Sequence, residues 1–455
     1  MHRGVYHVTD NEIKQRLELA LRSVEKPPTI EESLEQVSTH GVLRGAVDWV
    51  FPAWMLYVEY VTQKIAETFP LSEEERGQLL HFRDTLKRLL LEAQRQAKAK
   101  LTALYKAVVE GTYRSEGNKL YAPDGTWMYV RGDSTPHIPI RGVTAKTCFP
   151  DLLKLPRERL ELLQLGWRAS DEGRHKKQPY MGTTQPWQVF AWAAARYGEL
   201  YTCVLSTNLN LTHEGVSIEV YIKAKSWRQR WSKDEAISLV AEYLRRGEWT
   251  PMLTMWLGDG KARWRNILQS KYELLVATKE PWRLGIRKGA YEALVATGKE
   301  AFVKLREAAG VYGELLDLLK THKWIYIKLA TDDGFRAAAK QNKNGITVEG
   351  IVMYLRLVSG RGGSLLAEHY TRDLEKAHAA ADKLKAAGLR PNIVRSGPNY
   401  VVYITTTDLL KLAEEDDAVR RAVAQYLAEK AENGTPRQRE IARKLMQRHP
   451  LFLSS

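Results

Sequence analysis

Residues 73–110 read as one unbroken helix, and the rest of the chain has to fold around it. Ser72-Glu73-Glu74-Glu75 is a capping-box sequence, in which a Ser and a Glu three residues later serve the unpartnered N–H groups of a helix start. Leu79, Phe82, Leu86, Leu89, Leu90, Ala93, Ala97, Leu101 and Leu104 follow at helical spacing, and Gly111 is a plausible stop. At 1.5 Å per residue such a helix runs about 55 Å. Its second half is basic (Lys87, Arg88, Arg95, Lys98, Lys100, Lys106), as either a solvated outer face or a phosphate-facing rod. Two helices precede it, over 11–24 and from Ile30. The most apolar window, 46–61, holds Asp48, Pro52 and Glu59, whereas a bilayer-spanning helix needs about 20 nearly uncharged residues. It is expected to be a buried core element, with no membrane partner. Residues 1–115 are therefore expected as an α-helical region.

After Gly111 the pattern becomes mixed. Residues 116–186 read as a connector or small α+β module, with a hairpin over 121–131 around Pro123-Asp124-Gly125 and a basic loop at Arg174-His175-Lys176-Lys177. A helix over 187–197 leads into alternating strands at 200–209 and 216–224. Ser232-Lys233-Asp234-Glu235 opens a helix to 246. Thr250 as N-cap and Pro251 at the first helical position start a short helix closed by Gly258-Asp259-Gly260. A strand is expected at 272–277, with helices at 291–309 and 314–330. Strands at 347–358 and 365–369, a helix at 372–387, a hairpin over 392–405 and a helix at 408–432 follow in ββαββα order. Residues 433–455 read as a basic terminal helix. The expected fold class is α+β: a helical N-terminal region, then an α+β region over 187–432.

The charge points to a polyanion. Lys and Arg number 69 against 54 Asp and Glu, a formal net charge of +15. Hydrophobic residues at 44% suffice for packed cores, which excludes a wholly disordered chain. Cys148 and Cys203 are far apart and no CxxC or HExxH occurs, so neither a disulfide scaffold nor a zinc site is expected. With no signal-peptide stretch near Met1, a reducing cytoplasmic compartment is the simplest expectation.

Chemistry is most concentrated in residues 252–260, MLTMWLGDG. This short apolar helix ending in an acid and glycine resembles the helix of LAGLIDADG proteins, the homing-endonuclease and maturase superfamily. In that family two such helices pack side by side through small residues, and the last acid of each holds a divalent metal at the DNA; the resemblance implies a LAGLIDADG-like αββαββ-type fold for the α+β region over 187–432. Thr254 and Gly258, four apart, lie on one face and would allow close approach. A carboxylate at a helix C-terminus faces the negative end of the dipole, and Mg²⁺ would reverse that local cost. A buried helix with an Asp-Gly stop is the alternative. Residues 326–334 read as a second copy, matching Asp333 to Asp259, although Ile325, Ile327 and Leu329 alternate like a strand. The expected catalytic set is Asp259, Asp333 and Lys261, with Asp259 and Asp333 as ligands of Mg²⁺.

Cations interleaved with indoles suit phosphate contact and base stacking. Lys223, Lys225, Trp227, Arg228, Arg230 and Lys233 form one such run, and Arg263 and Arg265 belong to another. An ordinary basic hairpin end with core tryptophans is the alternative. Ser359-Gly360-Arg361-Gly362-Gly363 lacks the ending of a phosphate-binding P-loop, yet Arg361 could touch a phosphate.

From Ser232 onward the chain is similar to the PaRep proteins of type "two-b", a multicopy group of Pyrobaculum and related hyperthermophilic crenarchaea. Residues 243–263, 279–284, 329–336, 357–367, 389–404 and 433–452 carry the resemblance. It implies an archaeal cytoplasm and a mobile-element origin, and supplies no catalytic residue. The expected function is nucleic-acid binding, of DNA before RNA, with metal-dependent DNA cleavage if the chain is an enzyme. A non-catalytic DNA-binding or maintenance protein and an RNA-binding splicing accessory factor are the alternatives.

Overall fold

A computed structural model describes residues 9–130, 135–209, 215–261, 273–277, 293–297, 299–331, 345–359, 363–397 and 399–452. The chain divides into two compact units, residues 1–331 and 332–455. The boundary expected at 186/187 lies inside the first unit, and the region expected over 187–432 straddles the division.

The first unit opens with helices α1 (Asp10–Leu21), α2 (Ile30–His40), α3 (Val47–Thr68) and α4 (Glu73–Glu110). α4 starts on the Ser72/Glu75 capping box and ends at Gly111 in the left-handed region, φ 67°. Its apolar stripe is buried, as is most of α3, the expected core element. Of the basic residues of α4, Lys87 pairs with Glu59, Lys98 pairs with Asp48, and Lys100 donates to the Pro139 carbonyl. These contacts give that half of α4 a structural role.

Nine antiparallel strands follow in one curled sheet: β1 (Arg114–Glu116), β2 (Lys119–Tyr121), β3 (Trp127–Tyr129), β4 (His137–Pro139), β5 (Thr144–Phe149), β6 (Gly173–His175), β7 (Gln178–Thr183), β8 (Gly198–Leu209) and β9 (Val216–Ala224). Their order is β1-β2-β3-β4-β8-β9-β7-β6, with β5 also paired to β8. A register shift between Val204 and Ser206 lets one edge of β8 pair with both β4 and β5. The segment expected over 116–186 as a connector or small α+β module thus supplies six strands, β2 to β7, and the end of β1.

Helices α5 (Arg157–Ala169), α6 (Pro186–Ala195) and α7 (Lys233–Arg245) interrupt the strands. Residues 157–245 therefore run helix-strand-strand-helix-strand-strand-helix. On β9, Ile218, Val220, Ile222 and Ala224 point into the core, while Glu219, Tyr221 and Lys223 alternate onto an open face. α6 is buried along its whole length because the sheet lies on one side and the N-terminal helices on the other. Phe190 meets Phe82 at 5.8 Å and Tyr57 at 6.4 Å, both edge-on.

The unit continues with α8 (Thr250–Asp259), the strands β10 (Gly260–Lys261), β11 (Glu273–Ala277) and β12 (Ala293–Thr297), then α9 (Lys299–Ala309), α10 (Val311–Leu318) and α11 (His322–Thr331). The helix expected over 291–309 starts at Lys299, because 293–297 pairs with β11. The alternation of Ile325, Ile327 and Leu329 lies within α11, where tertiary burial overrides strand propensity.

In the second unit β13 (Gly345–Val348), β14 (Ile351–Val358), β15 (Ser364–Thr371), β16 (Asn392–Ser396) and β17 (Asn399–Ile404) form an antiparallel sheet ordered β13-β14-β15-β17-β16. The single strand expected at 347–358 is two strands, because Glu349 (φ 49°) and Gly350 (φ 73°) form a turn. Helix α12 (Leu374–Ala386) follows β15. The helix expected at 408–432 is α13 (Thr406–Glu415) and α14 (Asp417–Asn433), broken at Asp416, whose carboxylate accepts the Ala418 N–H at 2.7 Å. The basic terminal helix α15 (Pro436–Arg448) buries Ile441, Ala442 and Leu445 in this unit's core.

Candidate carboxylate site and nucleic-acid interface

α8 forms because Pro251 sits in its first turn and the Glu248 carboxylate accepts the Thr250 N–H at 2.9 Å. Thr250 is the first helical residue and Trp249 the N-cap, one position earlier than expected. The small-residue face of α8 packs against α5. A Cβ on Gly166 would collide with the Pro251 carbonyl, and a Cβ on Gly258 would collide with the Ser170 side chain. The Thr254 hydroxyl donates to the Leu163 carbonyl at 2.8 Å. The two helices lie side by side with their C-termini at the same end.

Each helix therefore ends in a small residue followed by an aspartate: Gly166-x-x-x-Ser170-Asp171 on α5 and Thr254-x-x-x-Gly258-Asp259 on α8. The two carboxyl groups are hydrogen-bonded to each other. Burial, then the charge of Asp171, push Asp259 up to about 6, so it holds a proton well above the usual carboxylate range. The Asp171 carboxylate also accepts the Gln188 side-chain N–H at 2.8 Å.

Two lysines face the pair. Lys233 Nζ donates to the Ser170 carbonyl at 2.6 Å, at the end of α5. Lys323, 5% exposed, donates to the Leu257 carbonyl at 2.7 Å and to that of Gly258, at the end of α8. Cations at helix C-termini offset the negative dipole end. Burial pushes Lys323 down to about 8 against the opposing pull of Asp171 and Asp259. The result is two carboxyls and two ammoniums where two helices end.

The segment after Asp171 is anchored from within. The buried Glu172 carboxylate binds Arg196 through two bonds of 2.9 and 2.8 Å and accepts the Trp192 indole N–H at 2.8 Å. Gln229 also donates to it, and Arg168 donates to the Glu172 carbonyl at 2.9 Å. This network fixes where Asp171 leaves α5.

Asp259 ends a close-packed helix, and the small-residue face of that helix meets α5; of the stretch 326–334, residues 326–331 belong to α11. α11 touches α8 elsewhere, with Tyr326 stacked on Trp256 at 5.7 Å. Asp333, Arg263, Arg265 and Arg361 lie outside the described residues. Lys261 is exposed on β10, and Lys233 and Lys323 act on Asp259. Asp171, Lys323 and Gln188 were missed. The repeated small-x-x-x-small-Asp spacing was the available signal for Asp171, while Lys323 becomes visible only through tertiary packing.

Of the expected nucleic-acid contacts, Lys223 and Lys225 lie on the open face. Lys223 sits between Tyr180 and Tyr201 in register, with Nζ 5.3 Å from the Tyr201 ring centroid. Lys146 extends that row. Arg228 is exposed, whereas Arg230 pairs with Glu161 at 2.8 Å. Trp227 is half-buried, its indole N–H bound to the Tyr197 carbonyl at 2.7 Å, so this ring is a structural anchor. A cavity of about 460 Å³ opens on the same face, lined by Asp171, Gly182, Gln188, Asn208, Glu219 and His137 among others. Of the carboxylate pair, Asp171 lines it.

Among the described residues no group of three or more His, Cys, Asp or Glu could hold a metal ion. No helix among them is long and apolar enough to cross a membrane. Comparisons with protein-family models, curated proteins and solved structures return no match.

Proposed function

We propose that this protein binds duplex DNA on the open face of its nine-stranded sheet, and that Asp171 and Asp259 hold Mg²⁺ for phosphodiester hydrolysis. The observation carrying this reading is the reciprocal packing of Gly166 and Ser170 against Thr254 and Gly258, which brings two aspartates together at the ends of paired helices. The order αββαββα over 157–245 and the basic, aromatic open face support it. This reading keeps the LAGLIDADG comparison and replaces Asp333 by Asp171 as the partner of Asp259. A mobile-element origin accords with it.

The donor set suits Mg²⁺, which takes one or two carboxylates and completes its shell with water and phosphate oxygens. Bound there, the ion would supply Lewis-acid charge and a more acidic water. Asp259 must give up its proton to serve as a ligand. Gln188 holds Asp171 in place, and Lys233 and Lys323 add positive charge beside the phosphate. The open-face lysines neutralise flanking phosphates.

A non-catalytic DNA-binding protein is the second reading. It is favoured by the two lysines, which already offset the negative helix ends that a metal would otherwise face. Cleavage of a randomised duplex library with and without Mg²⁺, by the natural protein and by Asp171→Asn and Asp259→Asn, tests the proposal. Loss of cleavage with retained binding supports it. No cleavage by the natural protein, with binding unchanged in both variants, selects the second reading. Preference for folded RNA over duplex would favour a splicing accessory role.

A further inference from the structure

The sheet does not stop at the cavity beside Asp171. His137 forms part of the cavity wall, and from it the strands β4, β3, β2 and β1 carry the open face outward over about 15 Å, at 4.8 Å per strand. Their inner residues Leu120, Met128 and Ile138 are buried. Their outer residues form a continuous ladder of rings. His137 lies 4.6 Å from Tyr129, Tyr129 lies 4.8 Å from Trp127, and Trp127 lies 6.4 Å from Tyr121. Three cations sit on this ladder, and Arg114 is 5.1 Å from the Tyr121 centroid. Lys119 Nζ is 4.4 Å from the Trp127 centroid and 5.6 Å from that of Tyr129, and Arg141 is 5.6 Å from Trp127.

Arg114 pairs with Glu116 at 3.5 Å, whereas among the described residues Lys119 and Arg141 make no ion pair. Rings hold them in place, by an attraction that does not consume their hydrogen-bond donors. A cation fixed against a ring with its N–H groups open is prepared for an anionic partner, and it loses little side-chain freedom on meeting one. The ladder is continuous with the open face and has the sign that a polyanion requires.

We infer that this wing is a second contact surface for the phosphodiester backbone of duplex DNA, gripping the DNA that leaves the carboxylate site on the His137 side. This rests on the proposed binding to the open face and adds where the bound DNA extends. Lys119 and Arg141 contact phosphates, and Trp127 holds both in position.

The test is hydroxyl-radical footprinting and affinity measurement on a duplex selected by the natural protein. It compares that protein with the double variant Lys119→Ala/Arg141→Ala and with Trp127→Phe. Thermal unfolding verifies that the wing remains folded, since neither variant touches its buried side. In the double variant the footprint shortens at one end. Affinity for a long duplex falls about tenfold, and the salt dependence weakens by about two phosphate contacts, while a short duplex confined to the central site binds as before. Trp127→Phe gives a smaller loss. An unchanged footprint and unchanged affinity overturn the wing while leaving open-face binding intact. Failure of the natural protein to bind any duplex overturns both.

Discussion

Gly258 of α8 rests directly on Ser170, the residue that caps α5, so that no side chain fits between them, and the residue after each is an aspartate. Gly258→Ala therefore forces the two helix ends apart. The expected loss is about 1–3 kcal/mol of unfolding free energy, as for other overpacked contacts. Ser170→Gly in the same chain should recover part of it. Urea unfolding of the two single variants and the double variant reads the coupling. Additive losses would mean that the two residues do not bear on each other.

Asp259 gives a pH signature. Its folded value of about 6 lies above the ordinary 3.8, so its contribution is fully present below pH 3.8 and is lost as pH rises through 6. Asp259→Asn removes that dependence. The variant should be the more stable protein at pH 8, by on the order of 1–2 kcal/mol once partial exposure is allowed for, and should lose this advantage near pH 4. A constant difference between the two proteins across this range would show that the carboxyl titrates normally.

Lys323 contributes to that titration, after Lys233. Its charge draws the Asp259 value down, and Asp259 draws that of Lys323 up. Lys323→Met leaves the α8 carbonyls of Leu257 and Gly258 without their donor and moves Asp259 above 6. Carboxyl ¹³C chemical shifts followed against pH check this, and an unmoved Asp259 would remove Lys323 from the site. For Lys323 itself, with a folded value of about 8 below the ordinary 10.5, stability is lost as pH falls through 8. The variant should lack that slope.

The Glu172–Arg196 pair sets the path of the chain next to Asp171. Glu172→Gln leaves the 1% exposed Arg196 guanidinium without its counter-charge. Removing one member of a buried pair costs about 3–5 kcal/mol, visible as an earlier urea midpoint. A loss within experimental error would mean that water or another acid compensates.

The legible parts of this chain were its local signals. The Ser72/Glu75 and Ser232/Glu235 boxes, the Gly111 stop and the alternation over 200–224 all name their elements, because capping and burial periodicity are encoded within a few residues. The Asp259-Gly260 end of α8 was legible for the same reason. Its partner was not. Residues 326–334 match α8 in order, yet helix pairing is decided by which face can approach closely, and that face belongs to Gly166 of α5 and its cap Ser170. The short strands β1–β4 carry three residues each and give almost no periodic signal, so only the hairpin around Pro123-Asp124-Gly125 was read there, and its strands β2 and β3 are present. Lys323 stands far from Asp259 in sequence, and only packing brings its charge to α8.

The central claim is that Asp171 and Asp259 together hold a divalent metal. The most direct measurement is the anomalous difference density of Mn²⁺ in crystals grown with a bound duplex at pH 7.5, above the Asp259 value. The expected result is one strong peak within about 2.2 Å of an oxygen from each carboxylate, absent in Asp171→Asn and in Asp259→Asn. A structure with DNA on the open face, no peak between these residues and their mutual hydrogen bond intact would contradict it.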